Sequence, residues 1–297
     1  MRPAAESRPN PLAATRARSS LRREVIVKRA VGWTILAGIL LGVLFPIYWM
    51  LVTAFDPPTL SYNANATLFP TKLTTKAFVQ LFTQYPFATW IQNTFLVAAA
   101  STALAVVLGL TSAYSLSRLR YPGRQTLAGL FFLVYLFPST LLFVPIYVIL
   151  SQMGLTNSYV GLTAVYLTFT VPFTTWMLRA YLSSIPRELE EAAMVDGATR
   201  VQSMVMVVLP LAAPGVAASA IFSFTLAWNE YLYAFILMSD RERMTLSPGI
   251  TQLIMGDIFL WGMIMAAASV MSVPVLILYF AAQRFVVTGL TAGAVKG

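Results

Sequence analysis

The chain lacks cysteine and histidine altogether, and only 10% of its 297 residues are charged. These absences exclude disulfides, thiolate and imidazole chemistry, and the commonest zinc ligands within this chain. None of its four lysines follows a glycine, and no Gly-x-Ser-x-Gly segment occurs. Both a Gly-Lys-Ser/Thr phosphate loop and a nucleophile elbow are therefore excluded. If ATP drives this protein, another chain hydrolyses it.

Apolar sequence takes the place of charge, since 58% of the residues are hydrophobic and the mean hydropathy is +0.73. Soluble domains usually carry about 25% charged residues, and an apolar run of about twenty residues can cross a bilayer as a helix. The pattern predicts an all-α polytopic membrane protein with one hydrophobic domain over residues 30–283. Its six predicted transmembrane helices are residues 30–55, 92–117, 125–150, 158–178, 214–238 and 260–282.

The two ends of the chain are more polar than the spans. Basic residues 1–29 predict a disordered tail, and glycine-rich residues 284–297 predict a short flexible one. A signal peptide is the competing interpretation of the N-terminal end, but the uncharged run over residues 30–55 is too long for a signal h-region.

The orientation in the membrane follows from the positive charges. With both ends inside, sixteen lysines and arginines fall on cytoplasmic segments and four on outer segments. Because cytoplasmic loops are enriched in these residues, we expect both termini in the cytoplasm. The net charge of +9 then reflects orientation in the lipid bilayer, and it does not require nucleic-acid binding.

Prolines and small residues inside the spans predict breaks and close contacts. Pro138 and Pro145 should bend or loosen the third span, because proline removes a backbone hydrogen bond and its ring clashes with the preceding turn. Gly215, Ser219 and Ser223 recur every four residues in the fifth span. Such a stripe is typical of a close helix contact.

A polar insert over about residues 183–213 separates the fourth and fifth spans. Ser183 and Ser184 could supply an N-cap oxygen, and Pro186 suits the first helical position. Three acidic residues in the first turn would be stabilised by the helix dipole, and they are Glu188, Glu190 and Glu191. The insert should therefore begin with a short surface helix.

The same insert also contains signals for helix termination. Gly197 should end the first helix, because glycine enters the left-handed cap conformation without strain. A second periodic segment follows, and Leu209-Pro210 should end it. The predicted structure is a helical hairpin at the membrane surface.

At these residues the chain resembles a known family. Glu191-Ala192-Ala193, Asp196-Gly197-Ala198 and Leu209-Pro210 match the EAA loop of binding-protein-dependent ABC-transporter permeases, and the chain is most similar to the maltose-type sugar permeases. The resemblance implies that the loop docks into a cleft on a cytoplasmic ATPase and passes its motion to the membrane helices. The residues implied in this coupling are Glu188, Glu191, Ala192, Ala193, Asp196, Gly197, Ala198, Leu209 and Pro210. An ordinary amphipathic connector is the alternative.

The resemblance also implies an assembly in the bacterial cytoplasmic (inner) membrane. The partners would be a second homologous permease, a dimer of ATPase subunits and an extracytoplasmic solute-binding protein. ATP and Mg²⁺ would be bound by the ATPase, so this chain would hold no cofactor of its own. The tail over residues 289–297 is similar to the C-terminal signature of the sugar permeases, and both a docking role and simple flexibility remain open for it.

One acidic residue, Glu230, falls inside a predicted span, in the segment Trp228-Asn229-Glu230-Tyr231. A charge in hydrocarbon costs about 2.5–3.5 kcal/mol on insertion scales, so this carboxylate should face protein or water. Two interpretations are equally good: a residue lining the substrate path, or a structural hydrogen bond that fixes helix packing. The resemblance extends to this segment, since sugar permeases often have a Trp-Asn-Glu/Asp sequence there.

These observations together predict a permease subunit of an ATP-driven importer for a mono- or oligosaccharide, a transport subunit rather than an enzyme. A permease for glycerol-phosphate or a polyamine is one alternative, although the absence of lysine and arginine from the predicted spans favours neutral solutes. A stand-alone ion-coupled carrier is another, but a single intramembrane acid makes a poor proton relay. A membrane-embedded enzyme is disfavoured, because no acid–base pair or metal site is indicated.

Overall fold

The computed structural model describes residues 11–56, 68–69, 72–255 and 258–294. Within these ranges, five helical segments are long and apolar enough to cross a membrane. They belong to α1 (Pro11–Phe55), α3 (Phe87–Arg118), α6 (Tyr159–Ser183), α9 (Leu209–Trp228) with the helical residues before it, and α12 (Trp261–Ala294). A sixth candidate is the bent pair α4 (Arg124–Leu136) and α5 (Ser139–Gln152). The predicted helical polytopic fold is confirmed.

Shorter elements connect these helices. They are α2 (Lys76–Gln84), α7 (Glu188–Val195), α8 (Arg200–Ser203), a π-helix (Met204–Val208), α10 (Leu232–Leu237) and α11 (Leu246–Thr251). Two short strands, β1 (Ile254–Met255) and β2 (Ile258–Phe259), pair antiparallel before α12.

The third span is broken at one of its two prolines. The axes of α4 and α5 differ by 95°, and Phe137, which precedes Pro138, is extended. Proline disfavours the helical conformation in the residue before it, so the break lies where the sequence predicts it. Pro145 lies inside α5, which continues through it.

The core of the bundle forms where α3 packs against α6 and α9. Its contacts depend on small residues: a Cβ atom built on Gly109 would lie 2.6 Å from Thr174, and one on Gly215 would lie 2.5 Å from the ring of Tyr181. Ser219 is buried, and the Ser223 hydroxyl lies 2.7 Å from that of Thr174. The small-residue stripe of the fifth span is therefore a packing surface, as predicted.

The outer surface of the bundle is apolar. The α1 span buries none of its most hydrophobic segment inside the chain, and α4 and α5 expose most of their large hydrophobic side chains. Apolar surface of this extent is stable only against lipid or another apolar chain.

The ends of the chain differ from the prediction. Residues 11–29, predicted to be disordered, form the first part of α1, and α12 continues through residues predicted to be a flexible tail as far as Ala294. Residues 1–10 and 295–297 lie outside the described residues. A transmembrane helix supplies the nucleus, and each further residue of good propensity adds a hydrogen bond at little cost. Local polarity therefore did not terminate these helices.

The fifth span also differs from the prediction. It was expected to run from residue 214 to residue 238, but α9 begins at Leu209 and ends at Trp228. The chain leaves the helix at Asn229 and resumes as α10 at Leu232. Asn229 and Glu230 interrupt the apolar run at this break, but two polar residues inside a predicted span do not by themselves reveal where its helix ends.

We predict that Gly215→Ala destabilises the protein whereas Gly129→Ala does not. Both glycines are helical, so alanine should add helix propensity of about 1 kcal/mol at each. At Gly215 the new methyl would overlap the Tyr181 ring, whereas no atom lies within 4 Å at Gly129. Overpacking typically costs about 1–3 kcal/mol.

The measurement is thermal unfolding of each purified variant in the same detergent. A melting temperature for Gly215→Ala equal to or above that of Gly129→Ala would contradict the close approach of α9 and α6.

Candidate functional site

The polar insert forms the predicted hairpin, but its first helix is capped differently. α7 begins at Glu188, and no side chain caps it. The hydroxyls of Ser183 and Ser184, predicted as caps, instead donate to the carbonyls of Ala180 and Tyr181, each at 2.7 Å. Ser183 is the last residue of α6 and Ser184 is its C-cap, and at both positions a hydroxyl readily bonds the preceding turn. The N-cap prediction is wrong.

The turn after α7 has the geometry predicted for Gly197. This residue has φ of +96°, and its N–H donates to the Met194 carbonyl at 3.2 Å while that of Ala198 donates to Ala193 at 3.0 Å. This pair of bonds is a Schellman motif, which satisfies the last carbonyls of a helix. The left-handed conformation strongly favours glycine at this position.

A capping box that the sequence analysis missed starts the second helix. Thr199 accepts a hydrogen bond from the Gln202 N–H at 3.3 Å, and the Gln202 side chain accepts one from the Thr199 N–H at 2.8 Å. The spacing Thr-x-x-Gln directly after the Gly197 turn is the signal that could have revealed it.

Leu209-Pro210 does not end a helix, contrary to the prediction. The chain passes from α8 through the π-helix into α9, and the Leu209 N–H bonds the Met204 carbonyl within the π turn. Pro210 thus falls in the first turn of α9, where its missing N–H is not needed. The hairpin is therefore joined to the fifth span by a continuous helical rod.

The residues predicted to couple to an ATPase lie mainly on the outer side of this hairpin. Glu188, Glu191, Ala192, Asp196, Gly197 and Pro210 are exposed, and Ala193, Ala198 and Leu209 are partly buried. Two large apolar side chains are exposed beside them, Val195 at 87% and Val201 at 68%. We call this surface the outer face of the hairpin. Exposed apolar side chains rimmed by acidic ones are typical of a contact surface for a protein.

Glu190 is turned the other way. Its side chain is buried, with Oε2 3.5 Å from the Arg118 Nε of α3, and its Oε1 accepts a hydrogen bond from the Tyr114 hydroxyl. The sequence places Glu190 among the first-turn acids and indicates no separate role for it. Helical periodicity could have separated it, because Glu190 lies roughly 200° around the helix from Glu188. Its partners are far away in the sequence and were not predictable.

A basic cleft of about 660 Å³ is lined by Arg120, Arg124 and Arg187. Two of these arginines bond the end of α3: Arg187 donates to the Ser117 carbonyl at 2.6 Å and Arg124 to the Leu119 carbonyl at 2.9 Å. Cations near a helix C-terminus are stabilised by its dipole. The arginines therefore fix the turn between α3 and α4.

The second candidate site lies around Glu230. This residue was predicted to lie within a span, but it does not. Its carboxylate accepts hydrogen bonds from the N–H groups of Tyr233 at 2.9 Å and Ala234 at 3.1 Å, at the start of α10. These are the orphan donors of a helix N-terminus, so the carboxylate caps α10. This geometry favours the structural interpretation of Glu230.

The other residues of this segment contact different parts of the structure. Trp228 is buried, and its indole N–H donates to the Met271 carbonyl of α12 at 3.1 Å. Asn229 bonds back to Thr225 at 2.9 Å, and Tyr231 is exposed and stacked on Phe235. These residues therefore have separate partners in the structure, and their role in a substrate path stays a prediction.

At the other end of α3, the loop before α11 is tied to the bundle. The Trp90 indole N–H donates to the Arg241 carbonyl at 2.7 Å, and the Asn93 amide donates to the carbonyls of Glu242 and Met244. The Arg241 guanidinium lies over the ring of Tyr85. This loop is thus a fixed surface at the end of the molecule opposite the hairpin.

Comparison with known proteins agrees with this architecture. The model of the family described as binding-protein-dependent transport system inner membrane components matches residues 105–291. The inner membrane ABC transporter permease protein YcjP of Escherichia coli is 38% identical over 264 residues, covering 88% of this chain and 94% of its own length.

Two further relatives carry the names of sugar uptake systems. The diacetylchitobiose uptake system permease protein DasC of Streptomyces coelicolor is 38% identical, covering 86% of this chain and 93% of its own. The trehalose/maltose transport system permease protein MalG of Thermococcus litoralis is 32% identical, covering 93% of this chain and 99% of its own length.

A solved structure shares the fold. A chain of a bacterial ABC transporter involved in the import of alginate superimposes with a TM-score of 0.75 at 21% identity, covering 88% of this chain and 97% of that one. The family match spans the α7 hairpin and all of the elements after it that the structure describes up to residue 291. The chain belongs to the family of binding-protein-dependent transport system inner membrane components.

Proposed function

We propose that this chain is the sugar-translocating permease subunit of an ATP-driven importer, supplied by an extracytoplasmic binding protein. The observation that carries the proposal is the exposed hairpin, which a continuous helical rod joins to a membrane span in a chain without a phosphate-binding loop. The energy source must then be a separate subunit that contacts the hairpin. The diacetylchitobiose and trehalose/maltose permeases among the relatives support a sugar as the solute.

The outer face of the hairpin is the surface we assign to the ATPase. Its acidic side chains and exposed Val195 and Val201 would dock into a cleft on an ATPase dimer, which binds ATP and Mg²⁺. A shift of α7 would cross the capped Gly197 turn into α8 and then continue through the π-helix into α9 without a further break in the helix. A second permease would cover part of the apolar outer surface.

The positions of the positively charged side chains favour a neutral solute. In the α3 and α6 spans, the described arginines are Arg118 and Arg179, and each lies close to the end of its helix beside α7. A cavity for a phosphate ester would need cations deeper in the bundle, since a buried anion requires a paired charge. We therefore rank sugars above glycerol-phosphate.

We predict that uptake requires ATP. This chain is reconstituted in vesicles with an ATPase, a sister permease and a binding protein, and the importer is tested with labelled disaccharides, glycerol-phosphate and a polyamine. Disaccharide uptake should depend on enclosed ATP and persist when the proton gradient is dissipated. Uptake that continues without ATP and stops with the gradient would identify an ion-coupled carrier.

The proposal also fixes which end of the bundle faces the cytoplasm. Because the chain has no cysteine, single variants Val195→Cys in the hairpin and Glu242→Cys in the opposite loop can each be labelled alone. A membrane-impermeant maleimide should label Glu242→Cys in spheroplasts and Val195→Cys only after the membrane is permeabilised. The reverse pattern would place the hairpin out of reach of a cytoplasmic ATPase.

A strained backbone in the hairpin should reduce uptake more than the same strain elsewhere. Gly197 and Gly154 both have positive φ and no atom within 4 Å of a built Cβ, so valine at either position carries a comparable cost of about 1–2 kcal/mol. Gly197→Val should weaken retention of the ATPase and lower uptake severalfold, whereas Gly154→Val should leave both near normal.

The measurements are co-purification of the ATPase and ATP-driven uptake, normalised to the amount of permease in the membrane. An equal loss for both variants would mean that general destabilisation explains the effect.

A further inference from the structure

The hairpin has an inner face, turned toward α3, as well as an outer one. The charged residue of this inner face is Glu190. Relative exposures are 4% for Glu190, 8% for Arg118 and 6% for Tyr114, although all three lie at the polar end of the bundle. By contrast, Glu188 and Glu191 on the same helix are exposed. A buried carboxylate is costly unless its oxygens are paired.

All three oxygens of Glu190, the two of the carboxylate and the one of the backbone carbonyl, have a partner on another element. One carboxylate oxygen accepts from the Tyr114 hydroxyl, and the other lies 3.5 Å from Arg118 Nε. The backbone carbonyl accepts from the Ser203 hydroxyl of α8 at 3.3 Å. Tyr114 and Arg118 lie one turn apart on α3, so they present both groups on the same side of that helix.

Arg118 extends the connection to a third helix. Its Nη2 donates to the carbonyls of Leu182 at 3.0 Å and Ile185 at 2.9 Å, at the end of α6. One guanidinium therefore bridges the last turn of α3, the end of α6 and the first turn of α7. We call Glu190, Arg118 and Tyr114 the buried cluster.

The packing around α7 makes this cluster important. The backbone of α7 lies mainly against α8 and the π-helix, so its direct mechanical connection is to α9. Contact with α3 depends on side chains, namely the buried cluster and the bond from Arg187 to Ser117. Separating a buried ion pair leaves uncompensated charge in a low dielectric, so the pair should stay closed when α7 moves.

We propose that the buried cluster is a second joint of the coupling hairpin, through which α3 and α6 move together with α7. Glu190 is then a positioning residue: it takes no part in docking the ATPase and determines how much of the hairpin's displacement reaches the bundle. This inference rests on the proposed function, since it assumes that a motor subunit displaces α7. It divides the acidic residues of α7 into outer docking residues and one inner joint residue.

The test compares Glu190→Gln with Glu191→Gln in the reconstituted importer. Glu190→Gln keeps the size of the side chain but removes the charge that pairs with Arg118. It should retain the ATPase and its hydrolysis, yet lower the sugar taken up per ATP by about tenfold, within the range of single-residue effects on coupling. Glu191→Gln should instead lower the amount of ATPase retained, with a normal ratio in the complexes that do form.

A rescue experiment separates coupling from simple stability. With no cysteine in the chain, the double variant Tyr114→Cys with Glu190→Cys can be bridged by a bifunctional methanethiosulfonate reagent, and a reductant reverses the bridge. The bridge should restore sugar uptake per ATP, and the reductant should abolish it. Each single-cysteine variant controls for reaction with a partner subunit.

Two results would overturn the inference: a wild-type ratio of sugar to ATP in Glu190→Gln, or a bridge that raises the melting temperature without raising that ratio. Failure of the proposed function would look different. In that case the wild-type protein itself would retain no ATPase or take up no sugar.

Discussion

The close approach of α3 and α6 is the contact on which the rest of the bundle depends. Gly109 brings α3 against Thr174, where a Cβ atom would lie 2.6 Å from the threonine side chain. The ends of the two helices then lie close enough for Arg118 to bond the Leu182 carbonyl at 3.0 Å. The Leu182 carbonyl belongs to the last turn of α6, where carbonyls have no partner within the helix, so Arg118 supplies a donor from α3. Helix packing, end capping and the position of α7 are thus parts of one arrangement.

Much of this fold could be predicted because lipid leaves the chain few choices. A segment in hydrocarbon must satisfy its backbone internally, so the apolar runs had to be helices. Pro138 and Gly197 also acted locally, one by holding the preceding residue in an extended conformation and the other through its freedom at positive φ. Where a residue constrains its own backbone, sequence alone is sufficient, and both predictions are confirmed.

The wrong predictions share a different cause. Ser184 could cap α7, but it is the C-cap of α6 and its hydroxyl bonds the Tyr181 carbonyl. Pro210 could end a helix, but a π turn places it where proline is tolerated. The break after Trp228 depends on Glu230 bonding the N–H groups of α10. Each outcome depends on which of two adjacent elements a residue joins or bonds. The local sequence pattern does not determine this.

Polar contacts between residues far apart in the sequence were the hardest to predict. The most important of them hold the hairpin. Glu190 and Glu191 are adjacent residues of one type, yet one is buried against α3 and the other is exposed. Two consecutive helical positions lie about 100° apart, and in α7 that rotation turns Glu190 toward α3 while Glu191 stays exposed. The proposed docking surface therefore adds an outer attachment to the inner one that the structure shows. A short helix held on both sides can transmit displacement that a free one would lose.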